Sequence, residues 1–218
     1  MKLYTKEEIL PWILIIIIFL FGLYLYPQLP AKIATHWNIN NQADGWGSKN
    51  FAVFFVPLLT LGLYLLLSFI PLIDPLKKNI EAFAHLYFWF KLCFILFFGL
   101  LHFLTLYAAL GHQINIGRFV ILGIAVLFFF IGLFLPKIKR NYTIGIRLPW
   151  TIHSETVWDK THKFGGKVFI SLALLMALSS FFSGKIAFVI LMAGIILLLF
   201  SLAIYSYWEF RKIEKGKI

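Results

Sequence analysis

Long uninterrupted apolar runs dominate the chain and leave it few places to fold except in a bilayer. Ile9–Tyr26, Phe51–Ile73, Leu86–Leu110, Phe119–Leu135 and Ile186–Tyr207 approach or exceed the ~20 residues needed to cross a hydrocarbon layer ~30 Å thick. A sixth run, Val168–Phe182, reaches that length only by taking in Gly165–Lys167 and Ser183. The chain is 61% hydrophobic and 13% charged, whereas a soluble domain would be roughly 45–50% apolar and about 25% charged. The expected fold class is all-α: a polytopic integral membrane protein with six transmembrane helices. Residues 1–218 should form a single membrane domain, because no segment outside the spans can bury a core of its own. No repeat of 20–50-residue period is visible.

Basic residues orient these spans. With both termini inside, fifteen of the 20 Lys and Arg residues fall on the cytoplasmic side, including Lys2, Lys77, Lys78, Lys137, Lys139, Arg140, Arg147 and Lys217. Lys32, Lys49, Arg118 and Lys185 stay outside and Lys91 lies within the third span. This bias predicts a cell-membrane protein with both termini cytoplasmic. The net charge of +11 then reads as topology plus affinity for anionic membrane lipid, with no direct nucleic-acid partner. The first apolar run exceeds the ~7–15 residues of a signal-peptide core, so it reads as a retained anchor. The single cysteine, Cys93, permits no intrachain disulfide.

Two polar intervals carry the rest of the information. The outer loop, YPQLPAKIATHWNINNQADGWGSK, follows span 1. Pro27 and Pro30 stop the helix. Asn38, Asn40, Asn41, Asp44, Gly45, Gly47 and Ser48 form a turn cluster in which Asp44-Gly45 is the sharpest signal. Tyr26, Trp37 and Trp46 suit the bilayer interface. The loop is either an ordered surface feature or a recognition loop with His36 and Asp44 as polar anchors, and it offers too few ligands for a metal.

The inner loop between spans 4 and 5, Pro136–Gly166, is basic and aromatic. In Asn141–Pro149, Tyr142, Ile144, Ile146 and Leu148 alternate with Thr143, Gly145 and Arg147, a period of two that predicts a short extended segment. Ser154 is then placed to cap a short amphipathic helix that Gly165-Gly166 would end. That helix would carry Glu155, Asp159 and His162 on one face beside an interfacial Trp158. His153, Glu155, Asp159 and His162 can be read as a metal or acid–base group, but salt-bridging acids on a membrane-surface helix explain them more simply. No catalytic residue, metal ligand or cofactor is assigned. Lys91 is expected to snorkel to the inner surface, His102 to sit neutral between helices, and no span to hold a buried carboxylate.

The two intervals together resemble one family. The outer YPQLP…THWNINNQADGWGSK is similar to the N-terminal module of unknown function found at the front of SdpI-type membrane proteins. The inner NYTIGIRLPWTIHSETVWDKTHKFGG resembles the hallmark of the SdpI immunity and signalling family. Asn41 stands where relatives commonly carry glycine, and Asn tolerates the left-handed backbone that such a turn needs. The resemblance divides the chain into a first span with outer module, residues 9–50, and a C-terminal module, 119–207. It implies a non-enzymatic immunity protein protecting a cell from a secreted, membrane-active killing peptide. It also implies a signal transducer that holds a small winged-helix transcriptional repressor at the membrane. Carried onto this chain, the outer motif comprises Pro27, Pro30, His36, Trp37, Asn38, Asp44, Gly45 and Trp46, a candidate recognition loop. The inner motif comprises Asn141, Tyr142, Gly145, Arg147, Pro149, Trp150, Thr151, Trp158, Asp159, His162, Gly165 and Gly166, a candidate docking surface. Two other readings stay open at this stage: a transporter or exporter of a small peptide or lipid, and an intramembrane metal-dependent enzyme.

Overall fold

The computed structural model describes residues 6–216, so the orientation argument drawn from Lys2 and Lys217 lies outside the described residues. Helix α1 (Ile9–Leu25) leads into a β-hairpin of β1 (Lys32–Trp37) and β2 (Ala43–Ser48). After it come α2 (Lys49–Ile73), the short α3 (Lys77–Glu81), α4 (Ala84–Ala109) and α5 (Ile116–Phe134). The chain closes with the five-residue α6 (Pro149–His153), then α7 (Glu155–Ser179) and α8 (Gly184–Lys215). Six of these helices are long and apolar enough to cross a membrane. The protein is a multi-pass membrane protein.

The helices form two packed groups. One joins α1, α2 and α4; the other joins α5, α7 and α8, with α4 packed against α5 between them. Their outward faces stay apolar and exposed, as at Ile16, Leu66, Leu174 and Leu197, which is the surface a hydrocarbon layer covers. At one end sit the hairpin and the α4–α5 and α7–α8 connectors, and at the other sit Glu8, α3, α6 and the last turns of α8.

Three local expectations are overturned. The helix begun by Ser154 does not stop at Gly165-Gly166 but runs on to Ser179 as the fifth span. The cap itself is real, Ser154 accepting the Val157 N–H at 3.4 Å. The glycine pair serves packing instead. A Cβ on Gly166 would lie 2.7 Å from the Gly132 carbonyl oxygen, and one on Gly165 2.7 Å from Ile146, so both glycines let α7 approach its neighbours closely. Second, residues 141–148 form no strand, because the backbone groups a strand would pair are captured by side chains. Third, the outer loop is a hairpin whose turn lies at Asn38–Gln42, not at Asp44-Gly45. Asp44 and Gly45 sit within β2, at the bulge where His36 pairs with Gly45.

Candidate functional site

The loop between α5 and α7 is organised around one buried amide. Asn141 is fully buried. Its Oδ1 accepts the N–H groups of Thr143 at 2.9 Å and Ile144 at 2.6 Å, while its Nδ2 donates to the carbonyls of Lys139 and Ile144 at 2.8 and 3.1 Å. Asp74, at the end of α2, braces the same turn. It accepts the Tyr142 N–H at 2.9 Å and the Thr143 hydroxyl at 2.8 Å. From α3, Asn79 donates to the Arg140 carbonyl at 2.7 Å. Two other chain segments, the end of α2 and α3, are thereby fixed to one turn by side chains that match backbone donors and acceptors, as buried polar groups require.

Beneath that turn lies a second layer. Trp158 is fully buried, not interfacial, and packs with Ile80, Phe83, Phe134, Leu135 and Ile138. Its indole N–H donates to the Ile138 carbonyl at 2.8 Å. His162 stacks on it with ring centroids 4.1 Å apart. The imidazole Nδ1–H donates to the Trp158 carbonyl at 2.8 Å, and Nε2 accepts the Ile146 N–H at 3.0 Å. Both ring nitrogens are occupied by backbone, so His162 holds the loop down. Gly145 crosses directly over this pair at φ +114°, where a Cβ would lie 2.5 Å from His162 Nε2. Thr151 Oγ1 accepts the Leu148 N–H and donates to the Ile146 carbonyl, both at 2.8 Å.

The rest of the inner motif faces outward or toward α8. Trp150 donates its indole N–H to Ser206 at 2.7 Å and meets Tyr207 edge-on. Tyr142, Arg147, Pro149, Gly145 and Asp159 are exposed, and Arg147 donates to the Tyr142 carbonyl at 2.7 Å. The motif is therefore split. Asn141, Thr151, Trp158, His162, Gly165 and Gly166 form a buried scaffold that presents the short exposed stretch from Tyr142 to Pro149. Of the four residues read as a possible acid–base group, His153, Glu155 and Asp159 are exposed while His162 is buried. Among the described residues, no group of three or more His, Cys, Asp or Glu side chains converges as a metal set would.

At the opposite end the hairpin is firmly seated. Ile33 is buried among Leu25, Leu29, Ala52, Val53 and Leu106. Asn38 Oδ1 shapes the turn by accepting the N–H groups of Asn40 and Gln42 at 2.9 and 3.1 Å. Asn41 adopts φ +60°, which accounts for its standing at a position suited to glycine. Its side chain also donates to the Ile114 carbonyl at 3.0 Å and accepts the Gly117 N–H at 3.2 Å, pinning the tip to the α4–α5 connector. His36 Nδ1–H donates to Asp44 at 2.5 Å across the strands. Trp46 is well exposed, Trp37 partly so, and Pro27 and Pro30 lie in the bend between α1 and β1.

Lys91 reaches toward the end that holds Glu8 but is buried there and does not snorkel to the surface. Its ammonium donates to Glu8 at 2.6 Å and to Ser68 at 3.3 Å, and the Tyr64 hydroxyl also donates to Glu8 at 2.8 Å. Glu8 lies just ahead of α1 and outside the span, whereas Glu209, in the last turns of α8, is a buried carboxylate on a spanning helix. Sequence pattern alone does not mark Asp74, Glu8 or Ile33 as structural anchors. The Asp-Pro step ending α2 was the available signal for the first, and the alternation of Ile33 with Lys32 and Ala34 a weak one for the last.

These two ends coincide with two known families. Residues 13–61, spanning most of α1, the hairpin and half of α2, match the Domain of unknown function (DUF1648). Residues 137–206, from the inner loop to the Ser206 that holds Trp150, match the SdpI/YfhL protein family. Over 212 residues the chain is 29% identical to Immunity protein SdpI of Bacillus subtilis (strain 168), covering 97% of this chain and 100% of that protein. Across residues 137–206 the chain is similar to the SdpI/YfhL protein family. No solved structure matches it. Within the family segment, the buried scaffold built on Asn141, Trp158 and His162 and the Trp150–Ser206 contact both fall inside the matched residues.

Proposed function

We propose that this protein is an immunity protein that shields its own membrane from a secreted, membrane-active peptide, and that it acts without a catalytic step. The observation that carries the reading is similarity along almost the whole chain, 97% of it, to a protein named for immunity. The hairpin end, with His36, Asp44 and Trp46 exposed, faces outward and meets the peptide first. The opposite end faces the cytoplasm, and the stretch from Tyr142 to Pro149 docks a small winged-helix repressor, so that peptide engagement frees or retains it. The geometry favours this division because each exposed stretch rests on its own rigid support, one on Ile33 and Asn41, the other on Asn141, Trp158 and His162. Coupling between the ends requires two bundle arrangements of which the peptide favours one.

The test is expression in a peptide-sensitive cell, scoring survival and membrane potential after challenge. Cells carrying the protein should keep both. Killing at the same dose as vector-only cells, with the protein present in the membrane, would sink the reading.

A further inference from the structure

A cleft of about 680 Å³ opens at the hairpin end, bounded by the hairpin tip and the first turns of α5 and α8. Its rim carries Arg118 and Lys185, both exposed, and its wall continues into Val120, Ile121, Phe188 and Leu191. We infer that this cleft is a binding site for one anionic phospholipid, the phosphate held between Arg118 and Lys185 and an acyl chain lying along the apolar wall.

Charge argues for an anion. No Asp or Glu lines the cleft, and among the described residues neither cation has a salt bridge. Of the nine acidic residues in the sequence, only Asp44 lies at this end of the fold, where it is engaged by His36. Both cations also sit in the first turn of a helix, where α5 and α8 carry no acidic residue. A positive side chain is disfavoured there by the helix dipole, and a bound anion relieves both helices at once. The wall argues for a lipid over free phosphate. Val120, Ile121, Phe188 and Leu191 lie within two turns of the helix starts, at the depth where acyl chains begin once the cations sit among headgroups. The roof is fixed, because Asn41 ties the tip to α5 and the Ile39 carbonyl rests against Gly184, leaving no room there for a Cβ. This site is independent of the immunity reading, and its failure would leave that reading untouched.

Native mass spectrometry of the purified full chain, titrated with phosphatidylglycerol, phosphatidylcholine or inorganic phosphate, tests it. The wild type should hold one phosphatidylglycerol in preference to the other two. At about fivefold per cation near an anionic surface, Arg118→Gln/Lys185→Gln should weaken that first binding step about thirtyfold. A charge-matched control, Lys32→Gln/Lys163→Gln, changes two exposed lysines outside the cleft and should leave it nearly unchanged. Equal losses in the two variants would mean diffuse attraction to a basic protein. Equal binding of phosphatidylcholine or inorganic phosphate, or a co-purified peptide in place of lipid, would overturn the assignment outright.

Discussion

Gly145 shows how tightly single residues set the inner end. Its φ of +114° lies where a side chain is strained, and the imidazole of His162 occupies the place a Cβ would take. Gly145→Ala should therefore cost about 1–3 kcal/mol for the backbone alone, with the steric contact added. Thermal unfolding in detergent should show a clear drop, with release of the 141–148 loop to proteolysis; an unchanged melting temperature would contradict the geometry. A second test concerns Lys91 and Glu8. Glu8→Gln and Lys91→Met should each destabilise, and the double variant should cost less than their sum, with a coupling of about 0.5–3 kcal/mol; simple additivity would mean that the pair does not act as a unit. The sequence made the chemistry of this turn visible but not its use. Tyr142, Ile144, Ile146 and Leu148 alternate as a strand would, yet Asn141, Asp74 and His162 take the backbone groups that a partner strand needs. Two of these three lie far from the turn in sequence, so periodicity could not disclose them.

Elements owe their placement to close approaches more than to apolar length. The α5–α7 crossing is set by Gly132 and Gly166, each lying where a Cβ would meet the other's carbonyl oxygen at 2.8 or 2.7 Å. Small residues let helix backbones approach in a bilayer, where no hydrophobic force draws helices together. Gly166→Leu should force the crossing apart, lowering folded yield and melting temperature far more than Gly62→Leu, since a Cβ at Gly62 meets nothing within 4 Å; equal effects would show that the crossing tolerates side chains. This is also why the fifth span starts earlier, at Glu155, than its apolar run suggests. A Gly-Gly pair signals a helix end and a close crossing equally well, and α7 begins with eleven residues, ETVWDKTHKFG, that read as surface. The other five spans were legible because uninterrupted apolar length has one solution in lipid. The hairpin was not, because Asp-Gly and an asparagine cluster announce a turn without saying which residues flank it. Helix α8 adds a related point. Its 32 residues reach about 48 Å at 1.5 Å per residue, so its last turns outrun the bilayer and give the inner module Ser206 and Glu209 to hold.

The whole molecule is a bundle with a different structured feature at each end, and its orientation decides which end meets which partner. With Cys93 replaced, single cysteines at Asn40 and Lys139 should label from outside and inside respectively; external labelling of position 139 in intact cells would invert the scheme. Given that orientation, the two ends should be separable by mutation. Arg147 is the better probe of the inner end than Trp150, because Trp150 also fastens α6 to Ser206, and its loss would disturb the scaffold. Arg147 is exposed, and among the described residues one of its five donors goes to the Tyr142 carbonyl, so its guanidinium keeps donors for a partner's carboxylate. If it is a binding hot spot, Arg147→Ala should cost about 2 kcal/mol, roughly a thirtyfold loss of repressor docking. Asp44→Asn with Trp46→Ala changes the hairpin face and should reduce the response to peptide while leaving docking intact. A repressor-release reporter and a killing assay on the same well-expressed variants read the two functions separately. Arg147→Ala should disturb the reporter and spare survival. Loss of survival with a normal reporter would place the exposed inner stretch in protection itself and remove the docking role from it.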